Sequence, residues 1–134
     1  MNMISFPRCS IAYLRRTGAY GAENRAVMER LLALAGQAGL LGPESAILSI
    51  AWDDPAHTPP AVCRYDACLV LQKGQTLPGA DVRYGSLPGG RYAVFTIPHT
   101  EQAVSEAWHT IGRLLRENGC TADPGRPVME RYTS

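Results

Sequence analysis

Two stretches of helical periodicity, beginning at Ala22 and at Glu101 and so about 79 residues apart, constrain this chain more than any other feature. From Ala22 to Leu41, Val27, Leu31, Leu34, Ala38 and Leu41 recur at helical spacing, with Glu23, Arg25, Glu29 and Arg30 between them. From Glu101 to Asn118 a second stripe is formed by Val104, Ala107, Trp108, Ile111, Leu114 and Leu115. Gly42-Pro43 predicts the end of the first helix and Gly119 the end of the second, because Gly suits the left-handed position after a helix and Pro cannot continue the ladder. An apolar stripe must be buried against another layer, so each helix implies a sheet or a helix beside it.

Runs rich in apolar, β-branched and aromatic residues supply that layer: Ile11–Arg15, Ile47–Trp52, Val62–Leu71, Val82–Leu87, Tyr92–Ile97 and Val128–Thr133. Asp53-Asp54-Pro55 and Pro59-Pro60 mark one loop, and Leu87-Pro88-Gly89-Gly90 predicts a hairpin turn between the fourth and fifth strands. The order strand, helix, strand occurs twice, Tyr13 standing against Tyr92 and Ile47 against Pro127. The expected fold class is therefore α+β: a duplicated strand-helix-strand-strand repeat, an antiparallel sheet with two helices on one face, in one domain spanning 1–134 with pseudo-repeats over about 8–72 and 81–134. The second copy reaches Ser134 with its last strand missing. An unpaired edge at Val128–Thr133 would invite a second chain, which leaves a monomer and a dimer through that strand both open.

A hydrophobic fraction of 46% against 19% charged residues suits a packed globular chain. Thirteen Lys and Arg against twelve Asp and Glu give a net charge of +1, so the electrostatic footprint of direct nucleic-acid binding is lacking. With no leader pattern and no long apolar run, no membrane association and a cytoplasmic location are expected. Cys9, Cys63, Cys68 and Cys120 form no CxxC pair and are expected as reduced thiols. His57, His99 and His109 share no ligand spacing, so solvated imidazoles are expected, with no metal and no cofactor. Gly89-Gly90 does not resemble a phosphate loop leading into a helix.

One residue stands out chemically. In the last strand Val128, Glu130 and Tyr132 alternate onto one face and Met129, Arg131 and Thr133 onto the other, so Glu130 is a carboxylate on an apolar, aromatic face. Such a group needs a partner. A lipophilic cation would be one, helped by cation–π attraction to nearby rings; a surface pair with Arg126 or Arg131 is the alternative. Trp108 lies on the second helix's stripe, where packing accounts for it, whereas Trp52 closes a strand and could flank a cleft. Tyr20 and Tyr92 combine stacking surface with a polar tip and suit either role. Arg64 and Asp66, two apart on a strand, are expected to pair with each other.

Six stretches in register carry a family resemblance: Ala12-Tyr13-Leu14-Arg15-Arg16-Thr17-Gly18-Ala19-Tyr20-Gly21, Trp52-Asp53-Asp54-Pro55, Cys63-Arg64-Tyr65-Asp66-Ala67-Cys68, Pro88-Gly89-Gly90-Arg91-Tyr92-Ala93-Val94-Phe95, Ala107-Trp108, and Val128-Met129-Glu130-Arg131-Tyr132. Together they resemble the GyrI-like family, which includes the DNA gyrase inhibitor protein and the effector-binding domains of AraC-type and multidrug-responsive regulators. The resemblance implies a ligand cleft near the junction of the repeats with Glu130 as its acidic residue, and with Trp108, Tyr92, Trp52 and Tyr20 as candidate ligand-binding aromatics. It implies a stand-alone binding domain for small amphipathic, cationic molecules, not an enzyme. Two alternatives stay open: a hydrolase of strained, cyclopropane-type electrophiles using Glu130 as general base with Trp108 or Tyr92 stabilising positive charge, and a protein modulator of DNA gyrase. Ala19 stands where the family often has Pro, and no helix-turn-helix segment is present to read DNA.

Overall fold

The computed structural model describes residues 1–43, 45–121, 123 and 126–132. Among them are seven strands and two helices: β1 (Asn2–Phe6), β2 (Cys9–Thr17), α1 (Glu23–Gln37), β3 (Ile47–Ala51), β4 (Arg64–Leu71), β5 (Arg83–Leu87), β6 (Gly90–Val94), α2 (Glu101–Glu117) and β7 (Met129–Tyr132), with a 3-10 turn over Pro60–Val62. The fold is α+β with two helices and antiparallel strand pairing, as the sequence predicts, but the strands form two sheets, of five and of two strands, where a single sheet was expected. The chain forms two compact units, one of Arg8–Pro88 with the segment from Pro127 onward, the other of Met1–Pro7 with Gly89–Arg126.

In the larger unit five strands pair in the order β5-β2-β4-β3-β7. β4 is central and buried on both faces, which is why Tyr65 to Leu69 is an unbroken buried run. On one face Ala12, Leu14, Ile47, Ala67 and Leu69 pack with Leu31 and Ala35 of α1. The other face carries Ile11, Leu48, Ile50, Cys68 and Leu87, flanked by Trp52 and Met129. The split follows the strand period of two, since Ile47 and Ser49 point one way and Leu48 and Ile50 the other.

α1 ends earlier than expected. Gly39 takes φ +71°, its N–H bonds Gly36 C=O at 3.1 Å, and Leu40 N–H bonds Ala35 C=O at 2.9 Å, a Schellman closure that uses Gly39 in place of Gly42 and ends the helix at Gln37. Leu41 is accordingly 43% exposed and lies off the stripe. α2 closes in the same way at the expected Gly119, with φ +72° and Cys120 N–H on Leu115 C=O at 2.8 Å. Its start is capped by Thr100, whose side chain accepts from Ala103 N–H at 3.1 Å.

In the smaller unit β1 pairs antiparallel with β6, Ile4 opposite Tyr92 and Phe6 opposite Gly90. This corrects the expected hairpin: β5 pairs with β2 and β6 with β1, so Leu87–Gly90 carries the chain from one sheet to the other. β1 is absent from the sequence reading because Asn2–Phe6 is short and has no turn signal before it. Ala103, Ala107, Ile111 and Leu114 of α2 line a cleft of about 420 Å³ with Met1 and residues 95–98. β7 covers Met129–Tyr132 of the expected Val128–Thr133, and Thr133 lies outside the described residues. No helix among the described residues is long and apolar enough to cross a membrane.

Candidate functional site

β7 pairs antiparallel with β3, which sets Glu130 opposite Ser49 and Tyr132 opposite Ile47. The alternation inferred for this strand holds. Met129 packs with the Leu48–Ile50 cluster, whereas Tyr132 packs with the cluster under α1, and Glu130 shares the face of Tyr132. The Tyr132 hydroxyl donates to Glu130 Oε2 at 3.2 Å and lies 3.2 Å from Ser49 Oγ, which in turn is 3.5 Å from the same carboxylate oxygen. Tyr65 lies one strand further in on β4 and belongs to the same cluster as Tyr132. Glu130 and Tyr132 are half-buried, and Ser49 and Tyr65 are buried.

Burial pushes the Tyr132 phenol above its ordinary pKa, and the nearby Glu130 charge acts in the same direction. Tyr65 is raised much further, again chiefly by burial. Both therefore stay protonated donors throughout the neutral range. The result is a half-buried carboxylate set among neutral hydroxyls and aromatic rings.

The other aromatic candidates are distributed differently. Tyr20 belongs to the α1-side cluster, where its hydroxyl donates to Arg64 C=O at 2.7 Å and accepts from Asp53 N–H at 3.1 Å, tying the start of β4 to the end of β3. Trp52 packs on the opposite face and donates its indole N–H to Asp66 at 2.6 Å. Arg64 lies 5.9 Å from the Trp52 ring centroid. Tyr92 and Trp108 belong to the smaller unit: Tyr92 meets Phe6 edge-on at 5.7 Å and has the Arg126 guanidinium 4.6 Å from its ring centroid, and Trp108 is 40% exposed on α2. The structure thus brings Glu130 and Tyr20 onto one sheet face and sets Trp52 on the other. Sequence reasoning named neither Ser49 nor Tyr65 as a candidate, whereas the alternation placed Tyr132 beside Glu130.

The expected Arg64–Asp66 pair is replaced by two others, one across β2 and β4 and one to the loop after β3. Asp66 is 1% exposed and receives Arg15 Nε and Nη2 at 2.8 Å each, because Arg15 stands directly opposite it in the β2–β4 register. Arg64 instead clasps Asp53 with Nε at 3.1 Å and Nη2 at 3.0 Å, and its hydrogen bonds hold the Asp53 carboxyl below the usual range. His57 pairs with Asp54 at 2.7 Å while staying 82% exposed. Among the described residues no group of three His, Cys, Asp or Glu comes together in a way that could hold a metal ion.

Known proteins show the same architecture and related sequences. The chain is 44% identical over 130 residues to a Bacillus subtilis protein named "SPbeta prophage-derived putative transcriptional regulator YosT", covering 96% of this chain and 85% of that one. It is 32% identical over 140 residues to the Escherichia coli K12 protein named "Probable transcriptional regulator YgiV", covering 100% and 84%. DNA gyrase inhibitor 2 of Dickeya dadantii is 29% identical over 116 residues, covering 84% and 72%. Among solved structures, a chain of the EcmrR–DNA complex superposes with a TM-score of 0.71 at 13% identity; the match covers 98% of this chain and 48% of that one, less than half its length. An integron cassette protein from Vibrio cholerae superposes with a TM-score of 0.60 at 16% identity, covering 99% and 88%. The model of the GyrI-like small molecule binding domain matches residues 1–134, and the chain belongs to that family.

Proposed function

We propose that this domain binds small amphipathic cations at the Glu130 face of its larger sheet. The observation that carries this reading is the Glu130 carboxylate itself, half-buried on a face with Tyr132, Tyr65 and Ile47 and hydrogen-bonded by a neutral phenol. The Tyr132 phenol donates to the carboxylate and orients it, and a bound cation would meet it in a partly desolvated setting, where charge attraction is stronger than in water. The aromatic faces beside it would add roughly 0.5 to 2 kcal/mol of cation–π attraction. Membership of a small-molecule-binding family and kinship with named transcriptional regulators support a binding role.

The test is calorimetric titration with biphenyl-4-trimethylammonium and its neutral tert-butyl isostere. Calorimetry is preferred to indole fluorescence because Trp52 lies on the opposite face. Glu130→Gln is expected to weaken the cation about tenfold, 1.4 kcal/mol, and to leave the neutral isostere unchanged. Equal cation affinity in both proteins would refute the site. Relatives named DNA gyrase inhibitor in Dickeya dadantii and Edwardsiella ictaluri favour a second reading, contact with DNA gyrase. That reading requires inhibition of supercoiling by the intact chain without any ligand.

A further inference from the structure

The face of the larger sheet opposite Glu130 carries a network of polar contacts in which some donors are unspent. Tyr13 and Arg15 of β2, Arg64 and Asp66 of β4, and Trp52 just after β3 share this face, all within the larger unit. Asp66 takes the Nε and Nη2 edge of Arg15, and Asp53 takes the same edge of Arg64. Neither Nη1, nor the Tyr13 hydroxyl, makes a hydrogen bond to the rest of the chain. Every buried polar side-chain atom among the described residues is hydrogen-bonded, so Arg15 Nη1 and the Tyr13 hydroxyl, unbonded in half-buried residues, open to solvent. The register sets Arg15 opposite Asp66 and Thr17 opposite Arg64, which makes the two arginines diagonal neighbours about 7 to 8 Å apart, within reach of long side chains. Both guanidiniums are also held by rings: Arg15 lies 5.5 Å from the Tyr13 centroid and Arg64 5.9 Å from that of Trp52. The Trp52 indole N–H in turn fixes Asp66, which is 1% exposed.

We propose that Tyr13, Arg15 and Arg64 form a second ligand site, for the carboxylate of a small aromatic acid. The site lies on the other face from the cation site and does not depend on it. Each arginine is balanced by its own aspartate, so the four charges sum to zero and long-range attraction is weak; recognition comes from direction. A carboxylate has two acceptor oxygens in one plane, which suits two guanidinium nitrogens whose inner edges are already locked. The aspartates thus act as braces: they aim the guanidiniums and cost the ligand nothing in ordering them. The half-buried rings of Tyr13 and Trp52 offer apolar surface to the body of an aromatic acid, which a bare inorganic anion cannot use.

Calorimetric titration of the intact chain at low ionic strength with benzoate, neutral benzamide and inorganic phosphate tests this. Wild type is expected to bind benzoate about tenfold more tightly than either of the others. Arg64→Gln should weaken benzoate about tenfold and Tyr13→Phe about threefold, both leaving benzamide unchanged. Arg15→Lys keeps a charge opposite Asp66 but removes the open Nη1, and should also lose about tenfold; Arg64→Gln, at a more exposed side chain, decides the matter if Arg15→Lys does not fold. Glu130→Gln should bind benzoate as wild type does. Absence of benzoate binding, equal affinity for benzoate and benzamide, or full retention in Arg64→Gln and Tyr13→Phe would each overturn the inference and leave the cation site standing. Phosphate binding as tight as benzoate would overturn the assignment to an aromatic acid, and loss of benzoate in Glu130→Gln would overturn its placement on this face.

Discussion

Replacing Asp66 by Asn removes a charge that β4 buries almost completely. The carboxylate is 1% exposed, takes two bonds of 2.8 Å from Arg15, and takes a third of 2.6 Å from the Trp52 indole. Hydrogen bonds to charged groups are worth roughly 1.5 to 3 kcal/mol each, and breaking a buried pair usually costs about 3 to 5 kcal/mol. Arg15 remains 23% exposed, so water recovers part of its solvation and the loss falls at the lower end, about 3 kcal/mol. Arg15→Met is expected to cost more, about 4 kcal/mol, because it strands the carboxylate with the indole N–H alone. The double variant carries neither charge and should cost about 2 kcal/mol less than the sum of the singles. Urea unfolding followed by far-ultraviolet circular dichroism measures all three, with an unchanged m value confirming that only stability has moved. A loss below about 1 kcal/mol for Asp66→Asn, or additivity within about 0.5 kcal/mol, would refute the view that this pair locks β2 to β4.

Tyr20→Phe should destabilise the larger unit by about 1 to 2 kcal/mol, since the lost hydroxyl bridges Asp53 N–H and Arg64 C=O. Hydrogen exchange checks it directly: the Asp53 amide should lose protection while the amides of β2 retain theirs. Tyr65, Tyr132 and Tyr20 all have raised folded-state pKa values, so the folded chain holds their protons more tightly than the unfolded one. Their contribution is fully present below the unfolded value of about 10 and is lost as pH rises through the folded values. Urea stability should therefore be flat to about pH 8, begin to fall near pH 9 as the buried Cys68 thiol, also raised, enters its unfolded titration range, and fall further above about pH 10 through the tyrosines, with a shallower fall above pH 10 in Tyr65→Phe; an identical alkaline profile in that variant would count against the burial argument.

Local signals account for most of what the sequence revealed about the fold. Helical periodicity located both helices, and Gly119 marked the end of α2 because a single glycine there takes the left-handed conformation. The same rule failed for α1 only in the choice of glycine: Gly39 and Gly42 are both permissive, and the backbone bond from Leu40 to Ala35 selects the first. β1 and the partners of β5 and β6 were not legible because strand pairing is decided by residues far apart in the chain. The turn Leu87-Pro88-Gly89-Gly90 has the composition of a hairpin, yet β2 and β1 compete for the strands on either side of it.

The candidate site shows the same division. Glu130 stood out because alternation is local, and Met129, Arg131 and Tyr132 fix its face within four residues. Its hydroxyl partner Ser49 lies 81 residues away and reads in sequence only as a small polar break in an apolar strand. What joins them is register. A slip of one residue would set Met129 opposite Ser49 and turn Glu130 into the cluster of Leu48 and Ile50, so the partial burial of Met129 on that face penalises the slip by roughly 1 kcal/mol, beyond the cost of burying the carboxylate there. The apolar residues of β7 thus hold the carboxylate where the hydroxyls can reach it. Met129→Ser should accordingly loosen the Ser49–Glu130 pairing without touching either residue.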